Sequence, residues 1–323
     1  MTSLADRSDL YRALRRGRIA VDRHASKMAH ADHMWAEETA TDLLLGEVWP
    51  HARFRKFTRW QERHVGADWL WWWVDSTGES FGMLVQAKNL KRSSTRRWHI
   101  DFDYTPEGAT QSQLTILLMT ADLFGVPAAH VLYCGNPTYR KSLNCTFWHE
   151  KHRDCRSRAR AGVSVVPSII PKYLKPFEPT DRAAQAFHWS LPLEDFADPA
   201  RDQGRLRPLG RVHPDIKEFM LEPQAGARRI AKMMLESLTA MRIGQTSLAQ
   251  PANMVHSSDL VFDQLPMDTG HFGLPYVAHV LWGLRREPPP YLEDLLTGDL
   301  PEPWMDESIA GIAVIEATGD GMR

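Results

Sequence analysis

The chain has 323 residues, 43% hydrophobic and 24% charged, which excludes a disordered chain and leaves room for a large core. A net charge of −1 gives no overall pull toward a polyanion, and three cysteines, an odd number, argue against a disulfide scaffold. No apolar run has the length of a signal-peptide core or a bilayer span, so the expectation is a soluble, cytoplasmic protein that keeps off membranes.

In chain order, residues 1–30 read as a basic helix or arm. A helix is predicted over 32–48, because Trp35, Ala36, Ala40, Leu43, Leu44 and Val48 recur at helical spacing before Pro50 stops the run. On a wheel with Leu43 at zero, Glu37 falls at about 120°, between Leu44 and Val48, and Glu38 at about 220°, on the flank. Glu37 therefore points with the apolar face, with Thr41 one turn away and Glu38 as its rival. Strands are predicted at 51–57, 67–74 and 81–87, with a short one at 98–102 inside a basic connection. A helix at 110–124 and strands at 129–134 and 163–170 follow.

After about residue 180 the periodicity weakens. A helix at 224–243 and a last strand at 309–317, which returns to the sheet, stand out. This order predicts an α/β fold: a mixed β-sheet flanked by helices, with a C-terminal, mostly helical extension. The expected divisions are 1–30, a core at 31–180, and an accessory region at 181–323 for recognition, dimerisation or docking of a partner protein.

Positive charge is concentrated locally. Between His51 and Ile100 there are 10 Lys and Arg against 4 Asp and Glu. Arg55, Lys56 and Arg59 precede the hairpin, and Lys91, Arg92, Arg96 and Arg97 follow it, interleaved with Phe54, Phe57, Trp60 and Trp98. Basic charge with aromatics suits a nucleic-acid surface, though a solvated charged face is the plainer use of such a run. The tryptophans Trp69, Trp71, Trp72 and Trp73 could stack bases, but alternate rings packed on the two sides of a sheet suit them better.

The hairpin carries the chemistry. With Ser76-Thr77-Gly78 as a three-residue loop and Gly78 left-handed, residues whose numbers sum to 154 face one another. Asp68 then faces Gln86, with Cβ atoms roughly 5 Å apart, and Lys88 shares their face two residues on. Asp68, Gln86 and the Ala87 carbonyl are oxygen donors of the kind a hard divalent ion takes, and Lys88 could orient water and offset charge on a phosphate. Glu37 would add a second acid.

Glu37 on a first helix, Asp68 at the start of a hairpin and Gln86-x-Lys88 on its second strand resemble the PD-(D/E)XK nuclease superfamily. The Gln resembles that of its Mrr-like branch. The likeness covers residues 30–170, with Ala67 standing where the family's Pro does. It implies a restriction-endonuclease-like fold and a Mg²⁺ (or Mn²⁺)-dependent nuclease, with DNA favoured as partner and a bacterial restriction or anti-phage role. A homodimer would allow double-strand cuts. Glu37, Asp68, Gln86 and Lys88 match its catalytic motif, and Gln113, with Gln111 as alternate, its supporting Gln. Gln86 in place of a carboxylate keeps open a rival reading, a degenerate nuclease fold that only binds nucleic acid or docks a partner.

Two further patterns remain. Cys145, His149, His152 and Cys155 form C-x3-H-x2-H-x2-C, a set of ligand types zinc accepts, with Cys134 as an extra; the spacing matches no zinc module, and a basic loop or helix is the plainer reading. Arg153, Arg156, Arg158 and Arg160 there could meet phosphates. No nucleophile elbow and no Gly-rich phosphate loop occurs.

Overall fold

The computed structural model describes residues 8–57, 69–105, 108, 110–143, 155–201, 203, 205–206, 213–241, 253–254, 258–297 and 309–317. Its strands are β1 (Ala52–Lys56), β2 (Trp69–Val74), β3 (Ser80–Asn89), β4 (Lys91–Arg92), β5 (Trp98–His99), β6 (Ala128–Tyr133), β7 (Val163–Pro167), β8 (Leu191–Pro192), β9 (Asn253–Met254), β10 (Gln264–Leu265), β11 (Leu284–Arg285) and β12 (Gly311–Glu316). The helices are α1 (Asp9–His30), α2 (Glu37–Val48), α3 (Gln113–Phe124), α4 (Pro137–Ser142), α5 (Arg156–Arg160), α6 (Ile169–Tyr173), α7 (Pro179–Trp189), α8 (Pro214–Leu221), α9 (Gly226–Met241), α10 (Tyr276–Leu281) and α11 (Tyr291–Thr297).

Local chemistry explains most of these boundaries. Ser8 caps α1 by accepting the N–H of Tyr11 at 3.1 Å. The predicted helix at 32–48 starts only at Glu37, because Asp32 sits in the left-handed region at φ 53° and breaks the path from α1. Strand β7 stops at Pro167 rather than 170, since proline has no N–H to extend a ladder, and Ile169 already opens α6.

The main sheet runs β1-β12-β2-β3-β6-β7-β8, with β11 on β3. It is mixed: β12 is parallel to β2 and β6 is parallel to β3, whereas the β2–β3 and β6–β7 pairs are antiparallel. Alternation along β2 sends Trp69, Trp71 and Trp73 to one face and Leu70 and Trp72 to the other, all buried. The first face is covered by α1, α2 and α9; on the second, Trp72 and Leu84 meet Leu117, Ala121 and Phe124 of α3. The tryptophans are thus core, as their alternation predicts. Gly82 is required there, because a Cβ would stand 2.6 Å from the Trp72 ring.

In the region after residue 180 the strand expected at 309–317 does return to the sheet, as β12, and the region is more sheet-forming than a mostly helical extension. It supplies β8, β11 and β12 to the sheet, and α9 lies across β2, β3 and β7. The apolar run of β12, buried over Gly311–Ile315, needs cover on both faces and lies inside the sheet, one strand in from its β1 edge, between β1 and β2. The N-terminal helix is likewise built in: Leu10, Leu14 and Val21 join the core, and α1 lies along α2. Among the described residues no helix is long and apolar enough to cross a membrane.

Candidate functional site

The β2–β3 hairpin has the register its loop chemistry predicts. Gly78 is left-handed at φ 89°, the Asp75 N–H donates to Glu79 O at 3.0 Å, and Trp69 pairs with Val85, a sum of 154. Asp68, one residue before β2, lies outside the described residues, as does Arg59.

Beyond Val85, strand β3 continues against β6, with Gln86 opposite His130, Ala87 opposite Val131 and Lys88 opposite Leu132. Gln86 and Lys88 are 2% and 6% exposed, so both polar ends are held inside the protein. An amine buried this far needs partners. Lys88 Nζ donates to Gln113 Oε1 at 2.7 Å. Gln113 can be there because it opens α3, whose start is fixed by Ser112 accepting the Thr115 N–H at 3.4 Å. Of the two glutamines offered by the sequence, Gln111 is exposed and Gln113 makes the contact.

Glu37 approaches from the opposite helix layer. Its Oε1 accepts the Asn89 N–H at 3.0 Å, one residue after Lys88, and Lys91 Nζ lies 3.6 Å away. Glu38 is exposed, and Glu37, on the inward phase of the helix, is the acid that makes these contacts. Thr41 holds this turn: its hydroxyl donates to Glu37 O at 3.1 Å and meets the Tyr133 hydroxyl at 2.9 Å. Asn89 adds a tie that sequence reasoning missed, its side-chain amide donating to Trp35 O at 3.1 Å. The signal was only its place next to Lys88. His130 was also missed, as one polar residue in an apolar strand. Its Nδ1 meets Ser168 Oγ at 2.9 Å, and its ring stands edge-on to Phe102 at 5.1 Å. Burial, then the charges of Lys88 and Arg182, push its pKa well down, so the imidazole is neutral.

The family of unknown function DUF6615 matches residues 13–320, so it spans every element of this site. The chain belongs to the DUF6615 family. No curated protein and no solved structure matches it.

In this DUF6615 chain the expected cations divide into two sets. Lys56 is ion-paired with Asp42, and Arg55 is half-buried on β1. Arg92, Arg96 and Arg97 are exposed on the β4–β5 hairpin that follows β3 directly, with the Arg92 guanidinium 5.5 Å from the centre of the Trp98 ring. Arg160 is not available for phosphate, because it is committed to Glu194 at 3.2 Å, Asp198 at 3.1 Å and Asp195.

Cys145, His149 and His152 lie outside the described residues, and Cys155 is buried. Burial pushes the Cys134 thiol up to about 12, so with no metal beside it the thiol is protonated. Among the described residues no cluster of three or more His, Cys, Asp or Glu is arranged to hold a metal. The donors present at the end of β3, the Glu37 carboxylate and the Gln86 amide, are oxygen ligands of the kind Mg²⁺ or Mn²⁺ takes.

Proposed function

We propose that this chain is a metal-dependent nuclease that hydrolyses DNA phosphodiester bonds from a restriction-endonuclease-like core. The observation that carries the reading is the buried Lys88 amine, fixed by Gln113 at the end of β3 beside Gln86, with Glu37 at the next backbone N–H. A structural role gives little reason to bury an amine at a strand end, since an apolar side chain fills the same space at lower desolvation cost. Placed against a phosphate, Lys88 would orient the attacking water and offset the charge that builds on the phosphoryl oxygens. Asp68, Gln86 and Glu37 would hold Mg²⁺ or Mn²⁺, which when bound lowers the pKa of a coordinated water and polarises the phosphate. The exposed arginines of the β4–β5 hairpin would hold the backbone of the substrate.

One observation favours a second reading, a degenerate nuclease fold that only binds nucleic acid. Glu37 Oε1 is already engaged by Asn89 and Lys91, as a structural clamp would be. Cleavage of supercoiled plasmid and labelled single strands, with Mg²⁺, Mn²⁺ or EDTA, separates the two. Metal-dependent cutting that is lost in Asp68→Ala and Lys88→Ala supports the nuclease. Salt-sensitive binding with no cutting under either metal supports the binding module, and cutting that survives both substitutions sinks the site.

A further inference from the structure

A cavity of about 220 Å³ opens toward the other end of β2 and β3, where Trp73, next to last on β2, nears the start of α9. Trp73 faces Phe81, seven residues before Lys88 on β3, so the cavity lies roughly 23 Å along the strand from the proposed site. Its walls are apolar: Trp73 and Phe196 meet edge to face at 5.5 Å, and Leu10 and Ile230 close the sides.

The polar groups on the lining are mostly committed. The Ser8 hydroxyl donates to Ala197 O at 2.9 Å, and the Gln224 amide donates to Glu222 O at 3.2 Å. Arg229 is the exception. Its Nη2 donates to two carbonyls, Asp198 O at 2.5 Å and Arg201 O at 3.2 Å, and to no carboxylate. The acids around it serve other groups: Asp198 takes Arg160 and the Ala200 N–H, and Asp195 takes Arg160 and Arg201. Burial lowers the Arg229 pKa although Asp198 and Glu236 pull it up, so a cation stands incompletely neutralised beside an apolar cavity.

We propose that this cavity binds a small amphipathic carboxylate, its apolar body against Trp73 and Phe196 and its carboxylate on Arg229. A dry apolar cavity of about 150 Å³ holds benzene, so about 220 Å³ suits one ring with a carboxyl group. Arginine is the side chain best shaped to take that group. This site is independent of the nuclease reading.

Titration calorimetry on the full chain tests it, with benzoate, its uncharged isostere benzamide, the cation benzylamine and inorganic phosphate as probes. The expected result is saturable one-to-one binding of benzoate, with benzamide about tenfold weaker and benzylamine and phosphate silent. Arg229→Gln should weaken benzoate to the level of benzamide, and Arg229→Lys should restore part of the loss. Circular dichroism checks that each variant is folded, and the wild-type probe series stands even if Arg229→Gln is not. No saturable binding of benzoate at millimolar concentration overturns the proposal, as do equal affinities for benzoate and benzamide, tight binding of phosphate alone, or unchanged binding in both variants.

Discussion

Lys88 and Gln113 are 25 residues apart and meet at 2.7 Å inside the protein, so a strand end and a helix start are tied to each other. Replacing Lys88 with Met keeps the aliphatic stem and removes the charge. Cleavage should then fall by at least about a hundredfold, as when one transition-state donor is lost, while the near-ultraviolet dichroism stays native. Gln113→Ala leaves the amine in place but takes away this hydrogen bond. Its stability should fall by about 1–3 kcal/mol, read from the urea midpoint, and its cleavage by less than that of Lys88→Met. Lys88 was legible from its place two residues from Gln86 on a strand, whereas Gln113 was named only because the resemblance implies a Gln on the next helix, with Gln111 as its rival. Asn89, His130 and Arg229 were not legible. Each is a single polar residue whose partners, Trp35, Ser168 and the carbonyls of Asp198 and Arg201, come from elements that no local pattern links to it.

Among elements, the β4–β5 hairpin is the clearest case of charge without local acids. Replacing Arg92, Arg96 and Arg97 together with Ala should weaken DNA binding and flatten its dependence on salt by about one unit of log–log slope per lost phosphate contact. A slope equal to that of the wild type would place the nucleic acid elsewhere. The junction of α10 with β6 titrates. His279 Nε2 accepts the Ala128 N–H at 3.2 Å, and burial pushes the imidazole from 6.5 to about 4. Above pH 6.5 the ring is neutral in both folded and unfolded chains and contributes no pH dependence. As pH falls from 6.5 toward 4 the unfolded chain takes up the proton and the folded one refuses it, so stability falls by about 3 kcal/mol over that window. Urea midpoints at pH 7 and pH 5 should therefore converge in His279→Gln relative to the wild type. The longer elements, such as α2, α3, α9 and β12, were readable from periodicity, and the hairpin register from one glycine, whereas α4 to α8, α10, α11 and β8 to β11 were not read. The neighbours of β12 were not readable, because a buried apolar strand carries no mark of which strands it separates.

At the scale of the whole molecule, the match to DUF6615 over residues 13–320 and the sheet order describe one unit rather than a core with an optional tail. A fragment ending at residue 180 should lack cooperative unfolding and bind hydrophobic dyes, because β1 and β2 lose the strand between them and α9 no longer covers Trp71 and Trp73. Cooperative melting of that fragment would show that the sheet closes without β12. The threading of β12 also sets a timetable for synthesis. Strands β1 and β2 leave the ribosome more than two hundred residues before their missing neighbour. Until then the tryptophan-rich strand presents an open backbone edge, a template for pairing with other nascent chains. The growing polypeptide needs that edge shielded until β12 arrives to fill it.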